Sequence, residues 1–130
     1  TSAEYGQIQK RVEKDFGFMF DEKTNSYKFK GQTIREDDPR FAKINLTISS
    51  LIRKAGYKGN LPKVQEESLV RTMKRTVPGL ALTSDANVLE LSKVINEPNG
   101  EAQIDKFLSD LGPLAEKIKK KDLMRIRLSK

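Results

Sequence analysis

The chain has 130 residues, 33% charged and 36% hydrophobic, with a net charge of +7 and neither cysteine nor histidine. That length suggests one domain with one modest core. The missing residue types exclude disulfides, thiol nucleophiles, imidazole acid–base chemistry and zinc sites of the Cys/His kind.

No stretch approaches the roughly 20 apolar residues that span a bilayer, and the polar N-terminus holds no signal-like run. A chain that begins at Thr1 rather than Met is expected to be a processed product or a domain excised from a longer protein. The lack of cysteine points to a cytoplasmic setting, or a virion-associated one if the protein is viral.

In chain order, the spacing of Tyr5, Ile8, Val12 and Phe16 predicts a helix over 3–16, with Ser2 as N-cap and Gly17 as its stop. Phe18 and Phe20 then flank Met19, and Tyr27 and Phe29 flank Lys28. Period two predicts two half-buried strands, joined by the polar loop "DEKTNS" and closed by Gly31. The chain has few aromatics, so these four are expected to face a core rather than form a base-stacking platform.

"DDPRFAKINLTISSLIRKAG" is the clearest helix, with Asp38 as cap, Pro39 in the first position and Gly56 past the end. Its buried stripe is Phe41, Ile44, Ile48, Leu51, Ile52 and Ala55. Glu36, Asp37 and Asp38 suit the positive end of its dipole, which explains them without a metal site. The loop "YKGNLPK" leads to a helix over 64–77 with Leu69, Val70, Met73 and Val77 inward. Glu66 and Glu67 occupy its first turn, and Pro78–Gly79 stops it.

Ser84 or Asp85 caps a further helix through Ile95, which "EPNG" breaks. Ile104, Phe107, Leu108 and Leu111 stripe the next, and Gly112–Pro113 separates it from one carrying Leu114, Ala115 and Ile118. In the tail "DLMRIRLSK", Met124, Ile126 and Leu128 alternate with Arg125, Arg127 and Ser129, which is strand periodicity. A lone strand must pair, so the tail is expected to join the early hairpin. The expected fold is a single α+β domain over 1–130, mostly helical. It has five or six helices and a small antiparallel sheet made of the early hairpin plus a C-terminal strand.

The charge is unevenly placed. Residues 1–37 carry seven basic and seven acidic groups, 38–77 nine and three, 78–115 two and six, and 116–130 seven and two. Two basic blocks thus flank an acidic one, a pattern that suits a polyanion partner. In the first, Arg53, Lys54, Lys58 and Lys63 lie at the end of one helix and in the following loop, while Arg71, Lys74 and Arg75 share a face of the next helix. Tyr57 among them is a candidate stacking partner for a base or a loop anchor. In the second block, Lys119, Lys120 and Lys121 are the candidate phosphate contacts, within a strip that also holds Lys117, Arg125 and Arg127.

Catalytic and cofactor motifs are absent. "GYKGN" lacks the Walker spacing and its Lys–Ser/Thr pair, and "GLALTSD" has no nucleophile-elbow pattern. The acidic clusters have capping explanations. No cofactor and no catalytic residue is therefore expected.

"FDEKTNSYKFKGQTIREDD", followed by a helix, "AGYKGNLPK" and another helix, resembles the small α/β region beside the helicase core in phage and island replication proteins of the virulence-associated-protein-E type. The resemblance covers about residues 13–75 and rests on pattern rather than on an invariant motif. It implies an accessory DNA-replication domain of mobile-element origin. It carries over no catalytic residue, and the Walker-type motifs of those helicases are absent.

The leading expectation is a non-enzymatic domain that binds DNA or RNA through a basic helix–loop–helix surface. The alternative is a viral or plasmid interaction module that binds an acidic protein partner or itself, with the acidic 78–115 block suited to self-association. Attachment to an anionic membrane surface through 117–127 would need a bulky aromatic face, which that strip lacks.

Overall fold

Residues 2–127 are described by the computed structural model, Ser2 without its side chain. In chain order they form α1 (Ser2–Phe16), β1 (Phe18–Asp21), β2 (Ser26–Phe29), β3 (Gln32–Arg35), α2 (Arg40–Lys54), α3 (Lys63–Thr76), α4 (Asp85–Val94), α5 (Gly100–Leu111) and α6 (Lys120–Ile126). Short 3-10 turns occupy Leu80–Leu82 and Gly112–Lys117. The architecture is α+β and mostly helical, as the patterning indicated. The capping expected of Ser2 falls on a side chain outside those described.

The sheet is a meander, β1-β2-β3, antiparallel throughout. Its first hairpin joins the two strands the alternation implied, and pairs Phe18 with Phe29 and Phe20 with Tyr27. The third strand is a correction. It is Gln32–Arg35 and not the C-terminal tail. Lys30 and Gly31 both take positive φ, 49° and 76°, in a two-residue connection. Turns with left-handed central residues match the twist of the flanking strands, so the chain folds straight back and Tyr27 gains Ile34 as its neighbour.

The expected tail strand is instead the helix α6, which buries Leu123 and Ile126, three residues apart on one face. Leu128 and Ser129 of that expected strand lie outside the described residues. The helix expected to carry Leu114 and Ala115 is only a 3-10 turn, and Leu114 is exposed.

Helix α2 is the centre of the molecule. α1, α3, α6 and β3 all pack on it. From Phe41 to Ser49 only Lys43 escapes full burial. The stripe predicted for it is mostly correct, but the burial is wider and takes in Asn45, Thr47 and Ser49. Pro39 is the N-cap rather than the expected Asp38, which sits one residue earlier and accepts the Arg40 N–H at 2.9 Å through its carboxylate. Leu69, Val70, Met73 and Val77 of the α3 segment are buried as predicted, and Ser84 caps α4 by accepting the Asn87 N–H at 3.1 Å.

Polar groups inside this core are satisfied by one another. Tyr27 Oη donates to Asn45 Oδ1 (3.2 Å), and Asn45 Nδ2 donates to Ser68 Oγ (3.3 Å). Gln65 donates its amide to Asn45 Oδ1 and to Ser49 Oγ. One amide thus ties the sheet, α2 and α3 together. Thr47 and Ser49 donate to the carbonyls of Lys43 and Asn45 within their own helix. The buried Tyr5 hydroxyl, by contrast, has no hydrogen-bond partner among the described residues. Burial, with Glu13 and Tyr57 nearby, pushes its pKa up to about 12.

These two sites predict opposite outcomes. Asn45→Ala takes the acceptor from the Tyr27 hydroxyl and one of the two acceptors from the Gln65 amide, and should lower unfolding free energy by about 1–3 kcal/mol. Tyr5→Phe removes a group that is buried without a partner, and should be neutral or stabilising by up to about 1 kcal/mol. Urea unfolding of both variants checks the pair.

Candidate nucleic-acid interface

The uncharged run from Ile44 to Ile52 leaves α2 with cations only near its two ends, Arg40 and Lys43 at the start and Arg53 and Lys54 at the finish. The finish suits the helix dipole, because the last carbonyls favour positive charge. There the 55–62 loop folds over Tyr57. Its ring meets Tyr5 edge-on at 5.5 Å between centroids, and its hydroxyl donates to the Asn60 carbonyl at 2.8 Å. Tyr57 is 6% exposed. Of the two roles open to it, base stacking or loop anchor, it has the second, and its placement among the base contacts is corrected because the ring is buried.

Arg53 Nη1 donates to the Gly59 carbonyl at 3.3 Å, a second clamp that leaves its charge unneutralised. Lys54, Lys58 and Lys63 are exposed around this anchored loop. Among the described residues, none of these four cations forms an ion pair. Arg53 and Lys54 also line a recess of about 130 Å³ between α2, α3 and α4, where Lys93, Ser50 and Ser92 join them and Glu97 is the sole carboxylate.

The face of α3 is different. Arg71 places Nε and Nη2 on the Glu36 carboxylate. Arg75 donates to the Glu36 carbonyl at 3.0 Å and lies 3.6 Å from the same carboxylate. Lys74 pairs with Asp85. The cleft between α3 and α4 sets Lys63, Arg71 and Lys74 against Glu66, Glu67 and Asp85, three charges of each sign. The expectation that Arg71, Lys74 and Arg75 form an open cationic face is therefore corrected, since each has a carboxylate beside it. Glu36 is held below the usual carboxylate range, first by the Arg71 hydrogen bond, with Asn25 and Arg75 adding to it and burial opposing.

The second strip divides likewise. Lys120 reaches Glu101 at 2.8 Å and Asp105 at 3.0 Å on α5, which raise its pKa. Lys119 and Lys121 stay exposed on either side. Arg125 pairs with Asp122 at 3.3 Å, and Arg127 donates to the carbonyls of Ile95 and Glu97. This strip is fastened to α5, an element that carries none of the first group.

Two features escaped the candidate residues. Lys93 reaches the loop-end recess from α4. Arg40, Lys43 and Arg125 surround a separate groove beside Phe18 and Phe29. A readable signal for the second was the uncharged centre of α2 with cations at both ends. No helix among the described residues is long and apolar enough to cross a membrane. No protein-family model, curated protein or solved structure matches the chain.

The Glu36 clasp predicts a pH signature. A carboxyl whose folded pKa is depressed stabilises the fold above its unfolded pKa, and that contribution fades as pH falls through the folded value. Glu36→Gln should therefore cost about 1 kcal/mol or less at neutral pH, because both arginines are half exposed. The gap to the parent chain should close in acid, below the ordinary glutamate range. Urea midpoints of both proteins across pH 2.5–7 measure it.

Proposed function

We propose that this chain is a non-enzymatic nucleic-acid-binding domain that contacts phosphates through Arg53, Lys54, Lys58 and Lys63 at the loop end of the α2–α3 hairpin. The observation that carries the reading is the distribution of neutralisation. Arg71, Lys74 and Arg75 of α3 each pair with a carboxylate, while Arg53, Lys54, Lys58 and Lys63 form no ion pair among the described residues. Phosphate contacts need charge density more than exact spacing, and a loop pinned by Tyr57 and Arg53 presents that density without an ordering cost at each encounter. Lys93 lines the recess behind it but pairs with Glu90, and Lys119 and Lys121 are auxiliary contacts.

The resemblance of residues 13–75 to mobile-element replication proteins supports a place beside DNA-replication machinery. The rival reading, assembly through the acidic 78–115 block, has less charge to draw on than the sequence suggests. Asp85, Glu101 and Asp105 are already paired within the chain.

Fluorescence anisotropy with labelled single- and double-stranded DNA and RNA tests the proposal. Four phosphate contacts on a single strand predict a log–log salt slope of about −3. Replacing Lys54, Lys58 and Lys63 by Ala should flatten that slope by about 2, whereas Lys74→Ala should leave it nearly unchanged. No binding to any of these nucleic acids at low salt overturns the proposal.

A further inference from the structure

The groove at the opposite end of α2 holds about 530 Å³, within the range of natural ligand sites. Its floor is apolar, made of Phe18, Phe29, Ile34, Ile44 and Ile126. Phe18 and Phe29 are paired across the β1–β2 register, with ring centroids 4.5 Å apart, and both stay half-buried while Tyr27 beside them is sealed in the core. The walls carry Arg40 and Lys43 on α2 and Arg125 on α6; Asp122 lines the same groove beside Arg125, and Asp38 pairs with Arg40. Arg40 leans on Asp38 and the Gln32 side chain, and Arg125 on Asp122, so both guanidinium groups are positioned yet still largely exposed.

We infer that this groove takes an unpaired nucleobase of a single strand. The base lies against Phe18 and Phe29, and the flanking phosphates meet Arg40 and Lys43 on one wall and Arg125 on the other. Two features select this occupant. Every base offers a π-face to an aromatic floor, and a nucleic-acid strand that crosses the floor carries anionic charge on both sides of it. A duplex has its bases stacked and paired, so it can neither lay a base on the floor nor seat its backbone across the groove. The inference rests on the nucleic-acid reading, yet it uses none of the loop-end residues. It adds that single strands are preferred.

The test titrates labelled oligothymidylate and a duplex of equal length against the parent chain, a rim variant (Lys43→Ala with Arg125→Ala) and Phe29→Leu. The rim variant should weaken single-strand binding and flatten its salt slope by about 1.4, with duplex binding unchanged. Phe29→Leu, which keeps an apolar residue in place, should lose about tenfold for the single strand only. An oligonucleotide carrying 5-iodouracil should photo-crosslink to Phe18 or Phe29 in the parent chain, a readout independent of any variant. Equal single-strand and duplex affinities with an indifferent rim variant would overturn the groove's role and leave loop-end binding standing. So would crosslinks confined to 53–63. Rim variants that lose an acidic, phenylalanine-containing peptide but keep oligothymidylate would reassign the groove to a protein and overturn the inference. Failure of the parent chain to bind either nucleic acid overturns the function and this inference with it.

Discussion

Burial of α2 on nearly every side is the constraint from which the rest of the molecule follows. A helix enclosed by α1, α3, α6 and β3 cannot carry charge along its middle, and from Ile44 to Ile52 it carries none. The polar side chains it does bury are closed into bonds, Thr47 and Ser49 within the helix and Asn45 with Tyr27, Ser68 and Gln65. Cations are displaced to its two ends, about 20 Å apart at helical rise. One end becomes the anchored loop with Arg53, Lys54, Lys58 and Lys63. The other becomes the groove with Arg40 and Lys43. Both candidate contact regions are consequences of how one helix is packed.

A second consequence concerns which positive charges are available. Net charge read along a sequence treats every lysine and arginine as equal. In the folded chain, Arg71 and Arg75 are part of the architecture, because Glu36 at the β3–α2 junction is their partner and the clasp joins that junction to α3. Lys120 and Arg127 are similarly structural, the first bridging to α5 and the second covering carbonyls at the end of α4. Of the loop-end cations only Arg53 has such a duty, at the Gly59 carbonyl; Lys54, Lys58 and Lys63 have none, which is why they are the better candidates for contact with an external anion.

Much of the fold was legible in sequence, and the failures have physical reasons. α2 and α3 were readable because their apolar stripes run for several turns, and α4 because Ser84 carries capping chemistry. β3 was missed because "GQTIR" buries only Ile34 and shows no alternation. Its signal was the Lys30–Gly31 turn, whose left-handed pair becomes evident only once the backbone is seen. The tail was misread because Met124 and Ile126 fit a strand, while Leu123 and Ile126 fit a helix, and seven residues cannot separate the two periods. The candidate site was half legible. Residues 53–63 form one local segment, so their clustering could be read directly. The pairing of Glu36 with Arg71 spans 35 positions, and nothing local announces it. Tyr57 was ambiguous for the same reason, since its partner Tyr5 belongs to a distant helix.

The most direct measurement of the account is residue-resolved. Amide chemical-shift mapping by NMR during titration with a short single-stranded oligonucleotide, with the Arg71 side-chain Nε–H followed in parallel, reports every contact region at once. The account predicts shifts concentrated in 53–63 and around Phe18, Phe29, Lys43 and Arg125, with the Arg71 signal held in place by Glu36. Shifts confined to α4 and α5, or a displaced Arg71 resonance with 53–63 silent, would contradict it.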